Sequence, residues 1–261
     1  MKQYIVDAFA DKIFEGNPAA VCVMDKWLSD DIMKKIAIEN NLSETAFVVK
    51  EENFYKLRWF TPGGEIDLCG HATLGTAFVI ANYYNTNTTD FRFHTLSGIL
   101  NVKKSDELFE MNFPSRMPKK IELTKEMLFA LGEEPNEVYL SRDLMFVFED
   151  EEFVRNYTPD FAKLCAVKEG LGFLITAPAK KSGKYDFVSR CFFPKLKVNE
   201  DPVCGSAHCN FVPYWSERLH KKVMTARQVS ERGGTIFCED RGDRVILKGN
   251  VVLYSIADIT I

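Results

Sequence analysis

The chain has 261 residues, 46% of them apolar, and a formal charge of −4 with its basic residues scattered rather than clustered. That length is comfortable for two domains of about 100–150 residues, and the charge pattern offers no footprint for a phosphate backbone, which excludes nucleic acid as a partner. No apolar run approaches the ~18 residues of a membrane span, and Met1-Lys2-Gln3-Tyr4-Ile5-Val6-Asp7 lacks the anatomy of a signal peptide, so a soluble cytoplasmic protein is expected.

Tyr4, Val6 and Ala8 alternate with polar neighbours and predict a first strand. Phe14-Glu15-Gly16-Asn17-Pro18 is a turn, and residues 19–24 read as a buried strand. Ser29 is placed to cap a helix with Asp30 and Asp31 in its first turn, Ile32, Met33, Ile36 and Ala37 at helical spacing, and a stop at Asn40-Asn41. Residues 43–49 and 54–60 form a strand pair, after which Thr61-Pro62-Gly63-Gly64 breaks the pattern. Over about 70–84, Leu74, Ala77, Phe78 and Ala81 recur at i, i+3, i+4, i+7 with few charges, which predicts a helix buried on most sides. Short strands follow at 91–93, 98–102 and 108–112.

Pro114, Pro118 and Lys119-Lys120 make the best linker, dividing an N-terminal half, 1–115, from a C-terminal half, 116–261. The second half carries strands at 138–140, 145–148, 171–177 and 185–193, a short helix at 161–167 and a second apolar helix at about 204–219. Strands at 223–228, 235–238, 244–248 and 251–261 complete it, the last free to cross to the first half.

Two stretches echo each other. Gly64-Glu65-Ile66-Asp67-Leu68-Cys69-Gly70-His71-Ala72-Thr73 and Asn199-Glu200-Asp201-Pro202-Val203-Cys204-Gly205-Ser206-Ala207-His208 each run from an acidic turn through Cys-Gly into an apolar helix, with Cys69 and Cys204 135 residues apart. Leu96-Ser97-Gly98-Ile99 and Glu231-Arg232-Gly233-Gly234-Thr235-Ile236 add a glycine turn downstream in each half. An internal duplication is expected, each half mostly β with one central helix.

If Gly70 and Gly205 open their helices, the unpaired first N–H groups and the positive dipole end suit a carboxylate, without any arginine. His71 and Ser206 would add side-chain donors; strand-to-helix turns also use glycine for geometry alone. Asp201 precedes proline, so its backbone is held extended and its carboxylate can project from the turn. Glu44 opens an apolar strand: beside a pocket it would have a raised pKa and serve as a general base, and otherwise it is a solvated strand-edge glutamate. Cys69 and Cys204, each just before a helix, should have lowered pKa values, and two opposed thiols could take a proton from one face of a carbon and return one to the other.

The seven cysteines are an odd number without zinc spacing and read as reduced thiols, with Cys22, Cys165, Cys191, Cys209 and Cys238 as small apolar residues. His94 and His220 are isolated, and His208-Cys209 diverge on a helix, so no metal is expected. No dinucleotide fingerprint, P-loop or nucleophile elbow is present, which favours a reaction without a cofactor.

Asp7-Ala8-Phe9, Gly16-Asn17-Pro18-Ala19-Ala20-Val21, Leu42-Ser43-Glu44-Thr45-Ala46-Phe47, Phe60-Thr61-Pro62, Leu68-Cys69-Gly70-His71-Ala72-Thr73-Leu74, Glu200-Asp201-Pro202-Val203-Cys204-Gly205-Ser206-Ala207-His208 and Arg232-Gly233-Gly234 together resemble the PhzF-like phenazine-biosynthesis family. The resemblance implies an α+β, diaminopimelate-epimerase-like fold: two pseudo-symmetric halves, each a β-sheet wrapped around a central helix, with the site between them. It implies a cofactor-independent isomerase and a homodimer. Glu44 would shuttle the proton, His71 and Asp201 would support it, and Gly70, His71, Gly205 and Ser206 would hold the carboxylate of a small substrate. The phenazine enzyme has no thiol in either glycine motif, whereas Cys69 and Cys204 align with the two acid–base cysteines of diaminopimelate epimerase, so these motifs look more like the family's widespread branch. Two alternatives stand beside the single-base reading: a two-thiol racemase or epimerase using Cys69 and Cys204, and a ligand-binding relative without turnover.

Overall fold

Period-two patterning at Tyr4, Val6 and Ala8 buries those side chains on β1 (Lys2–Ala8), which pairs antiparallel with β2 (Asn17–Met24). The computed structural model describes residues 1–180 and 183–261. Met1–Asn112 with Lys248–Ile261 form one unit, and Phe113–Leu247 form a second.

In the first unit α1 (Asp30–Asn40) starts at Ser29, whose Oγ accepts the Ile32 N–H, and stops at Asn41 in the left-handed region. β3 (Glu44–Lys50) lies parallel to β2 and antiparallel to β4 (Tyr55–Thr61). Pro62-Gly63 turns the chain into β5 (Gly64–Ile66), paired back on β4, and α2 (Gly70–Tyr83) follows. Continuous burial along α2 from His71 to Ala77 reflects its place on β1, β2 and β3, with further contact to β7 (below). A Cβ on Gly75 would stand 2.7 Å from Val6 Cγ2, so glycine is what lets α2 lie this close to β1. β6 (Asp90–Thr95) runs parallel to β4, and β7 (Gly98–Ser105) and β8 (Leu108–Pro114) continue as a meander.

The second unit begins with β9 (Lys119–Ile121), α3 (Lys125–Leu131), β10 (Glu137–Leu140) and β11 (Leu144–Val147). Then come α4 (Glu151–Asn156), α5 (Phe161–Ala166), β12 (Phe173–Pro178), β13 (Phe187–Phe193) and β14 (Val198–Asp201). The central helix α6 (Gly205–Leu219) leads into β15 (Val223–Gln228), β16 (Gly234–Asp240) and β17 (Arg244–Gly249). The last strand, β18 (Val251–Asp258), pairs antiparallel with β1 of the first unit.

The pairing order repeats. β2–β3 is parallel, β3–β4 antiparallel, and β4 takes β5 antiparallel and β6 parallel. β11–β12 is parallel, β12–β13 antiparallel, and β13 takes β14 antiparallel and β15 parallel. In each unit the long helix sits in the same place in this order, so the α+β fold is built from one repeated plan. The second unit's core joins Phe146, Phe173, Ile175, Val188 and Phe192, and each fully buried side chain of this size contributes about 1.5–3 kcal/mol.

The expected linker at Pro114–Pro118 is not a free one. β8 runs through Pro114, the Ser115 and Arg116 N–H groups donate to Asp243 and Cys209 carbonyls, and Lys119-Lys120 belong to β9. Proline at a strand end removes no ladder bond, so it does not mark a break here. α3 and α4 were absent from the periodicity because seven and six residues show too little of it; their signals are the Thr124 and Asp150 caps. No described helix is long and apolar enough to cross a membrane.

Candidate active site

Glu44 opens β3, fixed by pairing with Ala19 on one side and by the Thr45–Phe60 pair on the other. The β4–β5 hairpin is braced by Arg58, whose Nε and Nη2 donate to the two Glu65 oxygens at 2.6 and 2.7 Å. It delivers Cys69 as the N-cap of α2. α1, α3, α4 and α5 are capped by side-chain oxygens of Ser29, Thr124, Asp150 and Asp160, whereas Cys69 and Cys204 make no capping bond, and neither α2 nor α6 has an acid in its first turn. The two long helices therefore start with their N–H groups and dipole ends open.

His71 Nε2 lies 3.0 Å from Glu44 Oε2, with the imidazole side chain 9% and the carboxylate side chain 16% exposed. The approach is an ion contact without hydrogen-bond geometry, and the buried Oε2 has no hydrogen-bond partner. Cys69 Sγ is 3.6 Å from His71 Nδ1. Burial disfavours charge on His71, but Cys69 and Glu44 oppose it and together hold its pKa well above the histidine range. Burial, reinforced by Glu44, pushes the Cys69 thiol up to about 11 against the opposing pull of His71 and the Ala72 N–H. The lowered pKa expected for this thiol is thereby corrected: desolvation outweighs the helix end.

In the second unit Arg190 repeats the brace, donating to Glu200 through Nε and Nη2 at 2.7 and 2.9 Å. Asp201 ends β14 in extended backbone, and Gln228 clips the turn that follows: its Oε1 accepts the Cys204 N–H at 2.9 Å and its Nε2 donates to the Asp201 carbonyl. Ser230 Oγ donates to the Pro202 carbonyl at 2.8 Å and accepts the Gly233 N–H, which ties the Arg232-Gly233-Gly234 motif to the same turn. Cys204 Sγ lies 3.4 Å from Ser206 Oγ. Arg142, gripped by Asp143, donates through Nη2 to Ser206 Oγ at 3.2 Å. An arginine thus stands at this helix start, contrary to the expectation of an anion site without one. A Cβ on Gly205 would meet only Leu247 Cδ1 at 3.9 Å, so neither packing nor strain demands glycine there.

Glu44, Cys69, Gly70 and His71 thus come together in the first unit, and Asp201, Cys204, Gly205 and Ser206 share one turn in the second. Sequence reading missed Gln228 and Arg142, each a single residue distant in the chain from the motif it touches. The acids also break the repeat. Phe47 faces Arg58 as Ile175 faces Arg190, which matches Glu44 with Gly172; Trp59 faces Ile66 as Cys191 faces Asp201, which matches Asp201 with Ile66.

The repeated architecture is shared by epimerases: a predicted epimerase of Pseudomonas aeruginosa superposes with a TM-score of 0.72 at 18% identity, over 99% of this chain and 98% of its own. Residues 6–256 match the family model described as phenazine biosynthesis-like protein. A crystal structure of a PhzF-family phenazine biosynthesis protein from Enterococcus faecalis is 52% identical, with a TM-score of 0.97 over 100% of this chain and 99% of that one. An uncharacterized isomerase of Pseudomonas aeruginosa is 46% identical over 95% of each chain. The chain belongs to the PhzF-like phenazine-biosynthesis family, and it is an isomerase.

Proposed function

We propose that the chain is a cofactor-independent isomerase in which Glu44 moves a proton on a small carboxylate substrate, with His71 and Asp201 in support. The observation that carries this reading is Glu44 Oε2, buried, 3.0 Å from His71 Nε2 and without a hydrogen-bond partner. His71 holds the carboxylate in place, and a carboxylate keeps further lone pairs with which a base can take a proton from carbon. His71, its pKa raised by Cys69 and Glu44, stands 3.0 Å from the carboxylate it supports. Shielding from water slows exchange of the transferred proton, so part of it reaches product and solvent deuterium supplies the rest.

In the first unit the uncapped N–H groups at Gly70 and His71 suit a carboxylate, and in the second those at Gly205 and Ser206 do, with the Asp143-paired Arg142 as a further donor beside Ser206. Gly172 at the position matching Glu44 favours one acid over a symmetric pair.

The test is a metabolite screen in heavy water, reading mass gain with wild type and with Glu44→Gln. Mass gain that persists in Glu44→Gln removes the reading. Its loss in Cys69→Ser and Cys204→Ser instead would establish the thiol route, and tight carboxylate binding without any exchange would make the chain a ligand-binding relative.

A further inference from the structure

Glu44, Cys69 and His71 each offer one metal-ligating atom, and these atoms all lie within 4.8 Å of one another, the one such trio among the described residues. His71 Nε2 is 3.0 Å from Glu44 Oε2 and 3.9 Å from Cys69 Sγ. Around Zn²⁺, bonds of about 2.3 Å to sulfur and about 2.0–2.2 Å to nitrogen or oxygen set tetrahedral donor separations of roughly 3.3–3.6 Å. Small side-chain adjustments bring all three onto one ion.

More than proximity marks the place. Glu44 Oε2 is buried and meets His71 Nε2 in an ion contact without hydrogen-bond geometry, so a metal ion between the two would replace an imperfect contact. Thiolate, imidazole and carboxylate together select Zn²⁺-like cations over Mg²⁺ or Ca²⁺. Three protein donors leave a fourth position for water, and the Glu44 side chain keeps 16% of its surface exposed.

We propose that a thiophilic divalent cation of the Zn²⁺ class binds Glu44, Cys69 and His71 and switches off proton transfer at this site. The ion replaces the Cys69 thiol proton and the proton held by the His71–Glu44 pair. It also takes the oxygen that would otherwise accept the substrate proton. The site rests on geometry alone; the inhibition rests on the reading of Glu44 as the base.

The full chain, stripped of metal by a chelator, is titrated with Co²⁺ and then with Zn²⁺. One Co²⁺ per chain is expected, with a near-ultraviolet thiolate-to-cobalt band and the intense visible bands of four-coordinate cobalt, both lost on adding one equivalent of Zn²⁺. Cys69→Ser loses the thiolate band, while Cys165→Ser, which removes an exposed thiol, keeps it. Glu44→Gln lowers Zn²⁺ affinity at least about tenfold with an unchanged circular dichroism spectrum. Cobalt binding without a thiolate band, or a band that survives in Cys69→Ser, overturns the site. In heavy water, one equivalent of Zn²⁺ stops substrate exchange and the chelator restores it; undiminished exchange with the site saturated overturns the switch. Exchange that persists in metal-free Glu44→Gln overturns the base reading and leaves the spectroscopic site standing.

Discussion

Gly172 lies against Phe193: a Cβ built on the glycine would stand 2.3 Å from Phe193 Cε1. This is the second unit's counterpart of Glu44, and the ring occupies the room an acid would need. The nearby Asp143 carboxylate is committed to the Gly172 N–H at 3.0 Å and to Arg142 at 2.7 Å. On the proposed reading, Glu44 alone both removes and returns the proton. Product formed in heavy water is expected to retain part of the substrate's own hydrogen, because a shielded carboxylic acid returns it before exchange. Glu44→Gln loses at least about 10²-fold in rate, and Cys204→Ser stays within about tenfold of wild type. Mass spectrometry of the product reads all of these. Complete solvent deuterium at every turnover, together with an inactive Cys204→Ser, would sink the single-acid route.

Glycines at two positions in the long helices are there for different reasons, and alanine separates them. At Gly75 the added methyl meets Val6 Cγ2 at 2.7 Å, so Gly75→Ala costs about 1–3 kcal/mol through overpacking. At Gly205 the nearest atom is Leu247 Cδ1 at 3.9 Å, so Gly205→Ala leaves urea-unfolding stability within about 0.5 kcal/mol. If the open N–H groups there receive the substrate carboxylate, the same methyl crowds the ligand and weakens binding by about tenfold or more, roughly 1.4 kcal/mol. Binding unchanged in Gly205→Ala would mean that the glycine serves the turn alone.

Gln228 is wholly buried and holds both ends of the Asp201–Cys204 turn. Gln228→Leu keeps the volume and strands a buried donor and a buried acceptor, at about 1–3 kcal/mol each. A stability loss of about 2–6 kcal/mol is expected in urea unfolding. Hydrogen exchange gives the local readout: the Cys204 amide, protected in wild type, exchanges fast in the variant while the β15–β16 ladder stays protected. Uniform loss of protection would show that Gln228 supports the whole unit instead of this turn.

Strands with alternating or continuous apolar runs, and the two long helices, were legible in the sequence because burial on a sheet or inside one imposes a period. The Ser29 cap and the Asn41 stop were legible for a similar reason, since helix ends need particular side chains. β5 and β14 were not, because three or four residues with a single large apolar side chain carry no period; only their arginine braces, Arg58–Glu65 and Arg190–Glu200, mark them. In the site, the motif residues could be named, but their chemistry depended on neighbours the sequence does not show. Cys69 was expected to ionise easily because the helix end is visible in the sequence, whereas its burial and the approach of Glu44, 25 positions earlier, are not. Gln228 and Arg142 escaped for the same reason: each meets its motif only through tertiary structure.

His208 supplies a pH test within the second unit. Its Nδ1 lies 2.7 Å from the Cys204 carbonyl, which can only accept, so Nδ1 carries the hydrogen and the buried Nε2 has no hydrogen-bond partner. Burial pushes the imidazole down to about 4, whereas an unfolded histidine titrates near ~6.5. Between those values the unfolded chain binds a proton that the folded chain refuses. Stability from this residue is therefore full above pH ~6.5 and falls as pH drops, by about 1.4 kcal/mol per unit, until the folded imidazole also titrates. The loss by pH ~4 is on the order of 3 kcal/mol. His208→Gln cannot titrate, so its stability deficit relative to wild type should shrink between pH 7 and pH 4.5 in urea unfolding. Carboxylate titrations common to both proteins cancel in that difference. A deficit that stays constant across the range would mean that His208 takes up a proton in the folded state, and that its surroundings are wetter than the buried Nε2 implies.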